Sequence, residues 1–141
     1  MHIMEMIRSH PVMPQFELDD MRIFLRIAAE CGQTCVSCAD ACLAEKTRDQ
    51  LVRCISINLD CADISLVTQR IVMRQGAPDI KLIQSQVQTF AMACRSCREE
   101  CARHAAMHEH CRICAEVCAR CEEACARLLR FFPATVAQDS R

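Results

Sequence analysis

Residues 94–125 read CRSCREECARHAAMHEHCRICAEVCARCEEAC, and the spacing of the cysteines in this stretch decides the fold. Cys94, Cys97 and Cys101 stand three and four residues apart; Cys111, Cys114, Cys118, Cys121 and Cys125 resume the alternation after a slip. Side chains at those separations are neighbours on an α-helix, so each set forms one stripe. Upstream, Cys31, Cys35, Cys38 and Cys42 obey the same rule. The alternation is also the period of a helix face turned toward other helices. Several such helices facing one another would enclose an interior of sulfur rather than of leucine.

The rest of the chain suits helices. Its 141 residues include only 2 Gly and 4 Pro, no Trp and no Tyr, with 14 Cys and 8 Met. That length is enough for one domain with a true core. A net charge of −1 gives no electrostatic reason to expect nucleic acid or an anionic membrane as partner. Glu99/Arg103, Glu116/Arg120 and Glu123/Arg127 have the i, i+4 spacing of ion pairs on solvated helix faces. No basic start followed by an apolar run marks the N-terminus, and no apolar stretch is long enough to span a bilayer, so a cytoplasmic protein is expected. Thiols are held reduced there, and cysteine at this density then points to metal rather than to disulfides.

Few breaks interrupt the pattern. Pro11 and Pro14 close an N-terminal tail, residues 1–16, expected to be disordered although rich in soft donors (Met1, His2, Met4, Met6, His10, Met13). Thr47 and Gln50 read as a capping box after the turn at Glu45-Lys46-Thr47; Gly76 ends a helix, and Pro78 suits the first turn of the next. Pro133 opens a C-terminal tail, 133–141. Helices are predicted at about 17–45, 48–75, 79–107 and 110–131. Short connections favour an all-α, antiparallel up-down-up-down four-helix bundle over residues 17–132 with a cysteine-lined core.

Inward stripes follow: Met21, Phe24, Ala28 and then Cys31 to Cys42 on the first helix, and Leu51, Cys54, Asn58, Cys61, Ser65, Thr68 and Val72 on the second. The third carries Ile80, Ile83, Val87, Phe90, Cys94, Cys97, Cys101, His104 and His108, and the fourth Cys111 to Cys125, Leu128 and Phe132. In an up-down arrangement all the cysteines fall at one end. The lined stretch from Cys111 to Cys125 measures about 21 Å at the helical rise. Phe24, Phe90, Leu128 and their neighbours form a hydrophobic floor, and the mouth lies near the 45–47 and 107–110 loops. On phase alone His104 is favoured there as a relay for an incoming ion, ahead of His108 and His110.

Thiolates select Cu(I), Zn(II) or iron–sulfur clusters. Zinc wants four ligands per ion, usually in separate knuckles. Continuous ladders have no natural division into fours. Cu(I) accepts two or three sulfurs, and each thiolate bridges two ions, which sets a capacity on the order of fourteen ions. Metal ligands are therefore expected at Cys31, Cys35, Cys38, Cys42, Cys54, Cys61, Cys94, Cys97, Cys101, Cys111, Cys114, Cys118, Cys121 and Cys125, with His104, His108 and His110 beside them.

The CxxxC ladders on helices over roughly residues 17–131, without an export signal, resemble the cytosolic copper storage proteins, a cysteine-rich four-helix-bundle family. The resemblance implies storage of multiple Cu(I) ions by core thiolates, a homotetramer, no enzymatic activity and ion uptake at the histidine end. Asn58, Ser65 and Thr68 depart from a fully cysteine-lined wall. The alternatives are a zinc-binding buffer and a thiol redox or iron–sulfur protein. Cys31, Cys35 and Cys38 also fit the CxxxCxxC spacing of radical enzymes, but that motif needs a loop on a much larger α/β barrel, and the Pro-terminated spacing of small ferredoxins is lacking.

Overall fold

A computed structural model describes residues 2–133. The elements among them are all helical: α1 (His2–Ser9), α2 (Leu18–Ala44), a 3-10 turn at Arg48–Gln50, α3 (Val52–Met73), α4 (Ile80–His104) and α5 (Glu109–Leu129). The four long helices close a ring, in which α2 lies against α3 and α5 while α4 lies against the same two. Among the described residues no helix is long and apolar enough to cross a membrane.

The apolar stripes are what close the ring. Met21, Phe24 and Ala28 of α2, Val72 of α3, Ile83, Val87 and Phe90 of α4, and Leu128 of α5 are buried together. Phe24 and Phe90 meet edge-on, with ring centroids 6.1 Å apart at 90°. Phe16, just ahead of α2, packs on Phe131 and Phe132 with centroids 4.9 and 5.7 Å away. Burial of each such side chain stabilises by about 1.5–3 kcal/mol, so this end holds the helices together without any metal. Gly32 lets α2 approach α3 closely, because a Cβ there would lie 3.2 Å from Ser65 Oγ. Ser65 is held in that position by its hydroxyl, which donates to the Ala28 carbonyl at 2.6 Å.

Several local expectations need correction. Residues 2–9 are not a disordered tail but the helix α1, which buries Met4 and Ile7. So short a helix is marginal by itself and persists through packing. Its Ile3, Met6 and Ile7 share a small apolar hollow with Met73 and Gln75 at the end of α3. Thr47 and Gln50 form no capping box: the 3-10 turn intervenes, and α3 begins at Val52 without a side-chain cap. Pro78 does not stand in the first turn of α4, which begins at Ile80 and is capped by Asp79, whose carboxylate accepts from Leu82 N at 3.1 Å. The helix before Gly76 already ends at Met73, and no glycine among the described residues has a positive φ. The C-terminal tail expected from Pro133 lies, beyond that proline, outside the described residues.

Candidate metal centre

Beyond the Phe24–Phe90 floor the stripe positions on α2 and α5, and those on α4 as far as Cys101, are buried cysteines. All fourteen cysteines are unbridged and buried. They do not sort into isolated clusters. Cys38, Cys42, Cys54 and Cys111 form one group with every sulfur within 4.8 Å of the others, at the end near the 45–51 connection. Cys38 also belongs to a trio with Cys101 and Cys114, and Cys114 to a foursome with Cys35, Cys97 and Cys118. Cys35 and Cys118 recur in a foursome with Cys31 and Cys61, and Cys31 in a trio with Cys94 and Cys121. Adjacent groups therefore share members from one end of the column to the other.

The closest sulfur pairs show how the helices contribute. Cys35 lies 3.8 Å from Cys97 and Cys118 and 3.9 Å from Cys114. Cys54 lies 3.8 Å from Cys101, and Cys42 lies 3.9 Å from Cys111. Between α2 and α5 the partners run in opposite order: Cys31 meets Cys118, Cys35 meets Cys114 and Cys42 meets Cys111. These separations are non-bonded; a disulfide needs about 2 Å.

Asn58 interrupts the sulfur wall of α3 and is completely buried. Its amide nitrogen donates to the Cys54 carbonyl at 2.8 Å, and its oxygen accepts from Cys114 Sγ at 3.0 Å and Cys97 Sγ at 3.3 Å. The two other polar residues of that wall turn away from the sulfurs. Ser65 bonds to Ala28 O, and Thr68 donates to Ile64 O at 2.7 Å while accepting from Gln86.

The three histidines divide. His104, at the last position of α4, directs Nε2 to Glu100 Oε2 at 2.8 Å, and the same buried carboxylate meets Arg53 at 3.4 Å and Arg103 at 3.6 Å. His108 pairs with Glu45. His110, in the first turn of α5, reaches the thiols: its Nδ1 is 3.5 Å from Cys38, 3.6 Å from Cys111 and 3.9 Å from Cys42. The His108 and His110 rings stack at 5.4 Å. Glu45 Oε2 also lies 3.7 Å from His110 Nε2. Stripe phase favoured His104, which does lie within α4, but its imidazole is held by Glu100 one turn back. The first turn of α5 brings His110 to the sulfurs.

Glu45 and Glu100 were missed from sequence. Glu100 was legible as the i−4 neighbour of His104. Glu45 carried no local signal, because its partners lie on the far side of two helices.

Burial and mutual hydrogen bonding set the thiol protons. A hydrogen bond from Cys101, helped by Cys38, pulls Cys54 down to about 3. Burial, and then the charge of Cys54, pushes Cys42 up to about 11. The same two causes raise Cys111. The foursome nearest the 45–51 connection thus contains one sulfur that ionises readily among others that keep their protons. Such a set offers an incoming soft cation a thiolate at once and further thiolates as protons leave.

The chain is similar to several known proteins. A protein-family model described as Copper storage protein matches residues 18–130. The copper storage protein Ccsp from Streptomyces lividans, solved loaded with 10 copper equivalents, superposes with a TM-score of 0.89 at 38% identity, over 92% of this chain and 99% of that one. A cytosolic copper storage protein from Streptomyces lividans carrying five coppers gives 0.80 at 42% identity, over 82% of this chain and 96% of that one. The cysteine-rich protein YhjQ of Bacillus subtilis (strain 168) is 33% identical over 96 residues, which is 68% of this chain and 83% of the relative. By the extent of the family match and by these identities, this chain belongs to the copper storage protein family.

Proposed function

We propose that this protein stores multiple Cu(I) ions in the cytoplasm, held as cargo by the fourteen core thiolates within an antiparallel up-down-up-down four-helix bundle, and that it performs no catalysis. The observation that carries the reading is the sharing of members between neighbouring sulfur groups. A bridging thiolate serves two Cu(I) ions, so shared sulfurs suit a chain of fused copper–thiolate clusters. Tetrahedral zinc sites need private sets of four, which disfavours a zinc buffer. The reversed partner order of α2 and α5 supports the antiparallel topology.

Each Cu(I) that enters forms Cu–S bonds and displaces thiol protons to solvent, with no change of oxidation state. His110 stands where it would complete the first cluster, since its Nδ1 faces Cys38, Cys42 and Cys111. Asn58 Oδ1 is the corresponding hard donor beside Cys97 and Cys114. His104 and His108, tied to Glu100 and Glu45, do not reach the thiols and would bind copper only outside the column. A homotetramer suits the exterior of α2 and α3, where Val36, Leu43, Leu59 and Leu66 are exposed.

An anaerobic titration of the reduced protein with Cu(I), against a chromophoric Cu(I) chelator and with Zn(II) in parallel, tests this. Binding of about ten or more Cu(I) per chain before the chelator competes is expected. A limit of one to four ions, or preference for Zn(II), would overturn storage in favour of a zinc buffer.

A further inference from the structure

The thiols nearest the end of the column are not the ones that solvent touches. Cys42, Cys54 and Cys111 are 0% exposed, as is every other cysteine except Cys38, at 2%. Leu51 is buried over that end, and the His108 and His110 side chains lie across it with Glu45. Cys38 is reached from the side. A cleft of about 340 Å3 between α2 and α5 is lined by Gln33, Thr34, Ser37, Cys38, His110 and Ile113.

From this we infer that Cu(I) passes into and out of the column laterally, by ligand exchange at Cys38 with a small thiol that carries the ion into this cleft. The inference rests on the storage reading and names its donor class. A bare ion needs no such volume; about 300 Å3 and upward is the size of pockets that take small organic ligands. The walls are chemically mixed: one amide (Gln33), two hydroxyls (Thr34, Ser37), one aliphatic face (Ile113) and the His110 imidazole, with no carboxylate, lysine or arginine. That lining suits a polar, peptide-like thiol, held through its amides, rather than a phosphate or a cationic carrier.

Cys38 Sγ lies at the base, 3.5 Å from His110 Nδ1. In the exchange Cys38 sulfur bonds to copper while the carrier's sulfur–copper bond breaks. The Cys38 proton leaves on the departing carrier thiolate, which goes out as the free thiol, and no electrons change hands. Cys38 belongs both to the foursome with Cys42, Cys54 and Cys111 and to the trio with Cys101 and Cys114. An ion received there can move toward either end.

Two experiments on the full chain test the window. Reduced, metal-free protein treated with less than one equivalent of N-ethylmaleimide and mapped by peptide mass should be alkylated first at Cys38; first labelling at Cys42, Cys54 or Cys111 would overturn the lateral route. In stopped-flow transfer from a Cu(I)–glutathione complex, Ser37→Trp and Ile113→Trp should slow uptake about tenfold by obstructing encounter, with unchanged final capacity. Lys46→Trp, beside the end of the column, should load at the wild-type rate. Unaltered rates in the cleft variants with slowed loading of the Lys46 variant would place the route at the end and refute the inference. Should wild-type protein take up no copper, storage itself fails, and the alkylation order still reads the window independently.

Discussion

Asn58 sits among sulfur atoms where a cysteine would continue the wall of α3. Its amide meets the Cys54 carbonyl on one side and the Cys97 and Cys114 thiols on the other, so it fixes the positions of residues on three helices at once. Asn58→Leu keeps the branched outline, with the same number of heavy atoms, and deletes those bonds. Buried hydrogen bonds removed in this way cost roughly 1–3 kcal/mol, and urea unfolding of the metal-free protein should show a loss of that size. A midpoint equal to wild type would mean that the amide serves copper alone. His110 makes a related point about position. One nitrogen lies against three thiols, while the other is buried 3.7 Å from the Glu45 carboxylate and makes no hydrogen bond.

At the scale of the helices, the inward stripes were legible because they obey a single rule over their whole length. From Met21 to Cys42, from Leu51 to Val72 and from Cys111 to Leu128, every inward residue expected from the spacing is buried. Ile80, His104 and His108 are only partly so, since they lie where helices start or stop. The outer faces were much less legible. Arg103 turns to Glu100, Arg120 to Glu30 and Arg127 to Asp20, whereas the expected partners were Glu99, Glu116 and Glu123. Two of the three partners lie on another helix, and i, i+4 spacing says nothing about neighbours brought close by folding. Helix ends failed for the same kind of reason, as α1 and the 3-10 turn are held by what they pack on.

One of those unread ties has a measurable effect. Glu122 of α5 receives Arg95 at 2.8 Å and Arg98 at 3.0 Å, both from α4. Burial works against its ionisation, but the two guanidiniums prevail and hold its carboxyl below the ordinary 4.5. A carboxyl held down in the folded state stabilises fully above the unfolded value and loses that contribution as pH falls through the folded one. Glu122→Gln should therefore cost on the order of 1 kcal/mol at neutral pH, with the difference from wild type vanishing in acid. Urea midpoints of both proteins between pH 7 and pH 3 check this; a constant difference would mean the charge contributes nothing.

For the molecule as a whole, copper and protons compete for the same sulfurs. Cys42, raised to about 11, is protonated at neutral pH. Cu(I) bound there must expel a proton, so falling pH weakens binding, by about tenfold per pH unit for each proton displaced. Release of roughly one proton per copper is expected once the first, readily ionised site is filled. Titration in weakly buffered solution with a pH indicator measures it, and loading without proton release would mean that the thiols are already ionised. The metal-free protein should keep its helices throughout, since their packing at the phenylalanine end involves no thiol.

That end also sets a trade between carrying and standing. Phe24 and Phe90 continue the very stripes that bear Cys31 and Cys94, so exchanging them for cysteine would deepen the vessel without redrawing the chain. Each exchange would also remove ballast that the empty protein depends on. How much copper such a molecule can hold is thus bounded by how well it must survive having none.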